Sequence, residues 1–472
     1  MMELATSNTV KKENTEQPYK LKMREKLAFG LGDFGANFSW TFIASFMTIY
    51  LTDTVGMAAG IIGTIILVAR LFDGLSDLFM GNIIDNTKSK MGKAKPWVFW
   101  TAPPLALLTF MIFNVPSSWG STAQIIYVLV LYLLISAVFY TANNVAYSSL
   151  TSFMTKEPEE RVALGSIRFM FAIAGVLLIT SFTMALVSNF GGGQKGWTLT
   201  ALIAAFLCAL PLMTTGWFVK ERNIAEKIDK NQKTSFAPTF KALLKNKYFI
   251  FAILLYVLMY LAMTGNGVQV YYVTYIFDNP NLMGPLSMAS MLPSIAALIF
   301  APKIVKKFGL RNTLLAGLVL GVVGSVICWM FSENVTWLLI GLIIKSVGTG
   351  PLIAGASAIV ADVGDLVYWK SGIPVQGSAF SITSAGMKIG QGLSSAMVGW
   401  VLAFGHYIPN AVEQPDSSIF AMKSLFIYIP LIVLLLTVIV VALFNHEKYM
   451  PQIRVEIGAK RVGEKRDQSI ML

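Results

Sequence analysis

The sequence predicts an all-α membrane protein of twelve transmembrane helices arranged as two six-helix bundles. Three observations predict it: an apolar composition, apolar runs of membrane-crossing length, and basic charge confined to alternate loops. Of 472 residues, 55% are hydrophobic and only 13% charged, too few polar groups to cover the surface of a soluble globule of this length. Runs of about 20 apolar residues, enough to cross roughly 30 Å of hydrocarbon as a helix, recur along the whole chain. The predicted spans are 27–51, 58–84, 97–115, 123–147, 165–188, 197–219, 248–277, 284–304, 311–331, 336–360, 376–404 and 421–445.

Residues 1–26 form a polar tail containing Lys11, Lys12, Lys20, Lys22, Arg24 and Lys26, without the apolar core and small-residue cleavage site of a signal peptide. The first six spans make an N-terminal bundle, 27–219. Residues 220–247 carry eight basic side chains, counting Lys220 and Lys247, which no membrane helix could bury, so they read as a linker. The second bundle occupies 248–445, and the charged tail 446–472 reads as disordered. Lys88, Lys90, Lys93, Lys95, Lys156, Arg161, Lys303, Lys306, Lys307 and Arg311 join the linker on one side, whereas the other side offers essentially Lys195. That asymmetry places both termini in the cytoplasm of a multi-pass protein of the cell membrane. It also makes the formal net charge of +12 a matter of topology, so the partner is the lipid bilayer and no nucleic acid is expected. The chain is expected to function as a monomer.

A weak repeat supports two halves: KMGKAK follows span two, and KFGLRN follows span eight. Such duplication is how many secondary transporters are built. Glycines such as Gly30, Gly32 and Gly35, or Gly386, Gly390 and Gly392, read as points of close helix packing. Cys208 and Cys328 both fall inside spans and read as packing residues. His406 and His446 are the only histidines, so a histidine relay or metal chemistry is unsupported. Without a nucleotide loop, triad or ligand cluster, no enzyme is expected and no cofactor beyond a coupling ion.

A charge at mid-membrane costs about 2.5–3.5 kcal/mol on insertion scales, so each one requires a partner, a cavity or a purpose. In span two, Arg70, Asp73 and Asp77 fall within an arc of about 60° on a helix turning 100° per residue. Two carboxylates one turn apart cannot comfortably both ionise. Either Arg70 pairs with Asp73 and leaves Asp77 seeking a cation, or one carboxyl takes a proton. A salt-bridged helix staple is the bland alternative. Asp33 in span one and Arg168 in span five lie at similar shallow depth; each could be interfacial, or the two could pair across helices as a gate or a hydroxyl-binding fork. Tyr140, Thr141, Asn144 and Ser148 are spaced to lie along one stripe of span four. Such groups suit a hydroxyl-rich ligand, a small cation or simple interhelical bonding. Lys388, the lone basic residue of span eleven, could balance the acidic cluster from the opposite bundle.

At these residues the chain resembles the glycoside, pentoside and hexuronide cation symporters, a branch of the major facilitator superfamily that includes the melibiose and lactose carriers. The resemblance covers nearly the whole chain. It rests on GLGDFGANF, ARLFDGLSDLFMGNIIDNTKSKMGKAKPW, KALLKNKYF and ADVGDLVYWKSGIPVQG, with Lys388 following. It implies symport of a sugar with H+ or Na+ by alternating access between the bundles. It also implies that Asp73, Asp77, Ser76 and Thr141 bind the cation with Arg70 as charge partner, and that Asp33, Tyr140, Asn144, Ser148, Arg168, Ser384 and Lys388 line or support the sugar site. Asn144 stands where the melibiose carrier has an aspartate, Ser148 where it has a tryptophan, Gly32 where it has a lysine and Ser76 where it has an asparagine. The last change favours proton coupling somewhat, because a serine reaches less far into a sodium shell. A lipid, amino-acid or drug cargo on the same fold, or a transporter-like sensor, are the alternatives.

Overall fold

The computed structural model describes residues 20–155, 158–222, 243, 245–372 and 376–459. Among them the regular structure is helical throughout, with no strand. In chain order the helices are α1 (Met23–Ile49), α2 (Ala59–Asn86), α3 (Lys95–Ile112), α4 (Ser121–Leu133), α5 (Thr141–Met154), α6 (Pro158–Asn189), α7 (Gly193–Phe218) and α8 (Lys247–Leu261). They continue as α9 (Thr264–Tyr275), α10 (Met283–Phe308), α11 (Leu310–Met330), α12 (Val335–Ser371), α13 (Gln376–Phe404), α14 (Asp416–Lys423), α15 (Ile429–Leu443) and α16 (Met450–Gly458). A π-helical turn at Tyr50–Thr54 extends α1, another at Leu134–Tyr140 joins α4 to α5, and a third at Ser424–Tyr428 joins α14 to α15.

Among the described residues, eight helical segments are long and apolar enough to cross a membrane: Ser121–Thr151, Ala163–Asn189, Gly193–Phe218, Lys247–Tyr275, Pro280–Ala301, Leu310–Met330, Val335–Ser371 and Asp416–Leu443. The other four predicted spans fall on α1, α2, α3 and α13, which are helical but are not among these eight. Span ten ends later than its hydropathy implies. The polar run ADVGDLVYWKS continues α12 to Ser371, because Val363, Leu366 and Val367 keep one face buried at helical spacing.

The tail after residue 446 departs from the expectation of disorder as far as it is described. α16 buries Met450 and Ile453, one turn apart, and is pinned to α12 by Arg454 on Asp362 at 2.7 Å and by the Trp369 indole N–H donating to Glu456 at 2.6 Å. Its charges made it look solvated; their partners lie on a helix about 90 residues earlier.

The two related loops adopt the same construction. Gly92 and Gly309 both have positive φ, 117° and 83°, a region open to glycine at little cost. Each turn presents free helix N-terminal amides to a carboxylate. Glu221 accepts from the N–H groups of Lys93, Ala94 and Lys95 at 2.7, 2.9 and 2.7 Å. Glu447 accepts from Leu310 and Arg311 at 2.7 and 2.9 Å. Each carboxylate satisfies amides that no intrahelical bond can serve. Glu221→Ala and Glu447→Ala are each expected to lower the unfolding free energy of the detergent-purified protein by about 1–3 kcal/mol, read as a fall in thermal midpoint. A smaller fall for Glu221→Gln is expected, since an amide oxygen still accepts.

Glycine packing holds as expected at Gly32, where a Cβ would sit 2.4 Å from the Tyr147 ring. Cys208 and Cys328 are free and buried. The hydrophobic cores are distributed unevenly along the bundle axis. At the end remote from the Gly92 and Gly309 loops, Val268–Val273, Leu286, Leu338, Val398, Leu402 and Met422–Ile427 belong to the same core as α1–α7. At the loop end, Tyr248–Leu258, Leu314, Leu318, Leu352–Val367 and Val433–Ile453 contribute to a separate core. The early and late helices therefore share packing at one end and have separate cores at the other.

Candidate functional site

On α2, Leu71, Phe72 and Phe79 are exposed while Arg70 and Asp73 are 7% and 6% exposed, so the charged face is turned inward. Arg70 Nη1 lies 3.6 Å from Asp73 Oδ2, and its guanidinium sits 4.0 Å from the centre of the Trp40 ring. That is the intrahelical pair considered from sequence, with a cation–π contact on α1 added to it. Lys388 arrives from α13 and contacts both carboxylates, Asp73 Oδ1 at 3.4 Å and Asp77 more closely. Its ammonium also donates to the Asp73 carbonyl at 3.2 Å. Asp77 is the more accessible acid, with its side chain 32% exposed.

The oxygens expected from sequence to serve a cation converge from two helices. The Thr141 hydroxyl donates to Asp73 Oδ1 at 2.7 Å, and Ser76 Oγ lies 3.4 Å from Thr141 Oγ1 and 3.0 Å from the Asp73 carbonyl. Two carboxylates face two fixed cations, so the set is balanced without a bound ion. The Lys388 ammonium stands where a small cation would find its negative ligands. A free cation there must compete with a tethered one.

Asp33 and Arg168 do pair across helices, with Arg168 Nε 3.3 Å from Asp33 Oδ1. Arg168 also donates to Ser148 Oγ at 3.3 Å and lies over the Tyr147 ring at 4.9 Å. Tyr147 is held by its hydroxyl donating to the Phe29 carbonyl at 2.7 Å and by stacking on Phe29. With Arg168 only partly buried, the fork can bind adjacent hydroxyls.

Of the stripe expected on span four, Tyr140 stacks on Trp40 at 4.4 Å. Thr141 serves Asp73, and Ser148 serves Arg168. Asn144 is half-buried on α5. Ser384 lies on α13, but its side chain falls outside the described residues.

A second polar cluster, at the end remote from the basic loops, was missed. The Asp53 carboxylate accepts hydrogen bonds from the hydroxyls of Tyr275 and Tyr407, and its carbonyl accepts from the Asn410 amide. Thr52 Oγ1 lies 3.0 Å from the Tyr271 hydroxyl. These bonds tie the end of α1 to α9 and to the segment after α13. Asp53 falls just past the first predicted span, and a lone acid beside two threonines looks like any solvated helix end. Trp40 was missed because one aromatic in an apolar run carries no mark of its own. Among the described residues no group of three or more His, Cys, Asp or Glu could hold a metal ion.

Long apolar helices around a charged, inward-turned face mark a multi-pass membrane protein. The chain belongs to the family described as MFS/sugar transport protein, whose pattern matches residues 28–448. It is similar to the isoprimeverose transporter of Lactiplantibacillus pentosus, 29% identical over 93% of this chain and 92% of that one. It is also similar to the putative glycoside/cation symporter YagG of Escherichia coli K12, 28% identical over 88% and 90%. Among solved structures, the nucleoside transporter NupG superposes with a TM-score of 0.61 at 17% identity, covering 89% of this chain and 98% of that one. A bacterial homologue of the lysosomal transporter Spinster, inward-facing and unoccupied, gives 0.62 at 13% identity over 91% and 97%. At such identities the structures speak for the fold alone.

Proposed function

We propose that the protein is a secondary active symporter that couples entry of a sugar to a monovalent cation, H+ or Na+, by alternating access between two six-helix bundles. In this reading twelve helices cross the membrane, residues 220–247 link the bundles, and both termini are cytoplasmic. The carrying observation is Lys388 lying on Asp73 and Asp77. A cation arriving at these carboxylates, with Thr141 and Ser76 as neutral oxygen donors, displaces the ammonium and releases a tie between α2 and α13. The Asp33–Arg168–Ser148 fork, with Tyr147 beneath it, holds the sugar hydroxyls. Tyr140, Asn144 and Ser384 complete the set of sugar-site candidates, and Arg70 holds Asp73 in place.

The Asp53–Tyr275–Tyr407 cluster is then an extracellular latch. A shared core at that end and separate cores at the cytoplasmic end fit a carrier closed to the outside. The relatives named for glycosides and isoprimeverose favour a sugar over a lipid, amino acid or drug. The test is uptake by the purified carrier in vesicles, using a panel of labelled monosaccharides, disaccharides and hexuronides under imposed proton or sodium gradients. Accumulation of a sugar driven by one of these ions is expected. Uptake of no sugar under either gradient overturns the reading.

A further inference from the structure

A groove of about 500 Å³ runs along the outer face of α7, within the roughly 300–1,000 Å³ of ligand pockets. It is separate from the cavity that α1, α2 and α13 enclose around Met47 and Arg70. Phe206, Leu210, Met213 and Trp217 line it at helical spacing, and Phe206, Leu210 and Trp217 are exposed on a helix of membrane-crossing length. The small Ala209 beside these large side chains gives the groove its depth. Phe99 of α3 closes the end nearer the Gly92 loop, its ring 6.0 Å from that of Trp217. Gly216 permits this approach, since a Cβ there would sit 2.7 Å from the Phe99 Cβ.

The chemistry and length of the groove select an acyl chain. Thr214 is the one hydroxyl in its lining, and that hydroxyl donates to the Leu210 carbonyl of its own helix at 2.7 Å. The groove therefore asks its occupant for no hydrogen bond. From Phe206 to Phe218 is about 18 Å along the helix at 1.5 Å per residue. One leaflet holds half of the roughly 30 Å of hydrocarbon, about 15 Å. The groove thus follows a single leaflet, from the bilayer centre to the surface on the side of the basic loops.

At that surface stand cations without a counter-ion. Lys95 begins α3 one turn before Phe99, so the two share a face, and Lys220 follows Phe218 closely in the chain. Their ammonium groups are near enough to repel each other. Glu221 is committed elsewhere, both of its carboxylate oxygens accepting from the backbone N–H groups of Lys93, Ala94 and Lys95. Among the described residues neither Lys95 nor Lys220 forms an ion pair. Trp100 and Trp217 lie exposed at the same level, where aromatic rings anchor to a membrane interface. Unpaired cations at the end of an apolar groove one leaflet long complement an anionic lipid, which carries its charge and its chain in that arrangement. We propose that the groove binds an anionic phospholipid of the leaflet on the basic-loop side, one acyl chain lying along Phe206–Trp217 and the phosphate between Lys95 and Lys220. The lipid is a bound constituent and the site is independent of the cargo, so failure of the sugar symport reading leaves it standing.

The test titrates the detergent-purified protein with palmitoyl-oleoyl phosphatidylglycerol and with the phosphatidylcholine of the same chains. The readout is the thermal midpoint, which a lipid bound only to the folded state raises. Phosphatidylglycerol is expected to raise it saturably, with a half-saturating concentration at least about tenfold below that of phosphatidylcholine. Lys95→Gln and Lys220→Gln should each raise that concentration about fivefold, whereas Lys303→Gln and Lys306→Gln, at exposed lysines of another basic loop, should leave it unchanged. Ala209→Phe, with Ala209→Leu as the milder filling, should remove the stabilisation by occupying the groove, each variant being read against its own lipid-free midpoint. Glycerophosphoglycerol, the headgroup without chains, should have no effect at the same concentrations. Equal half-saturation by the two lipids, equal losses in the Lys303 and Lys306 variants, undiminished stabilisation after Ala209 is enlarged, or a response to the headgroup alone overturns the lipid site.

Discussion

Asp77→Asn is expected to abolish cation-driven accumulation of the sugar while leaving downhill flux. With one cation moved per sugar, a potential of 100 mV supplies about 2.3 kcal/mol, equivalent to a concentration ratio of about 50. The variant should therefore fall from an accumulation ratio near about 50 to about 1 under a potential alone. The structure makes this substitution informative because it spares the fold. Asp77 is the partly exposed acid, and its loss still leaves Lys388 on Asp73. Asp73→Asn is a poorer probe. It strips a buried partner from Arg70, and breaking a buried pair costs about 3–5 kcal/mol, so lost folding and lost coupling become confounded. Uphill uptake by Asp77→Asn at the wild-type ratio would remove Asp77 from the cation site.

Asp53→Ala is expected to open the end remote from the basic loops, which is extracellular in the proposed topology. The carboxylate receives two tyrosine hydroxyls, one from α9 and one from the segment after α13, and hydrogen bonds to a charged acceptor contribute about 1.5–3 kcal/mol each. Removing both biases the closed-to-open equilibrium by about 3–6 kcal/mol, or two to four decades. Met47→Cys reports on it: Met47 lines the cavity, is 1% exposed, and the native Cys208 and Cys328 are buried. Labelling from outside by an impermeant thiol reagent should rise at least about tenfold in the Asp53→Ala background, with maximal uptake falling. Tyr407→Phe, which removes one of the two hydroxyls, should give an intermediate rate. Labelling equal to that of the parent would mean that Asp53 does not hold this end shut.

Much of the charged cluster proposed as the cation site was legible in the sequence because its partners are local. Arg70, Asp73 and Asp77 share a face by helical periodicity alone, and their cost in lipid marks them without any knowledge of neighbours. Lys388 was legible for the same reason, as an isolated charge in an apolar run. The pairing of Asp33 with Arg168 was one of two readings, and only the packing of α6 on α1 selected it.

The sequence by itself determined that the protein is a helical membrane protein and that α2 bears its costly charges, because both follow from hydropathy and 3.6-residue periodicity. The tertiary structure decided what those charges meet. Lys388 spans both carboxylates from a helix more than 300 residues later, Glu221 and Glu447 close their loops over free amides, and Asp53 accepts from tyrosines more than 200 residues later. These are contacts between distant segments, set by which helix faces come together, and a single chain's pattern does not encode that choice locally.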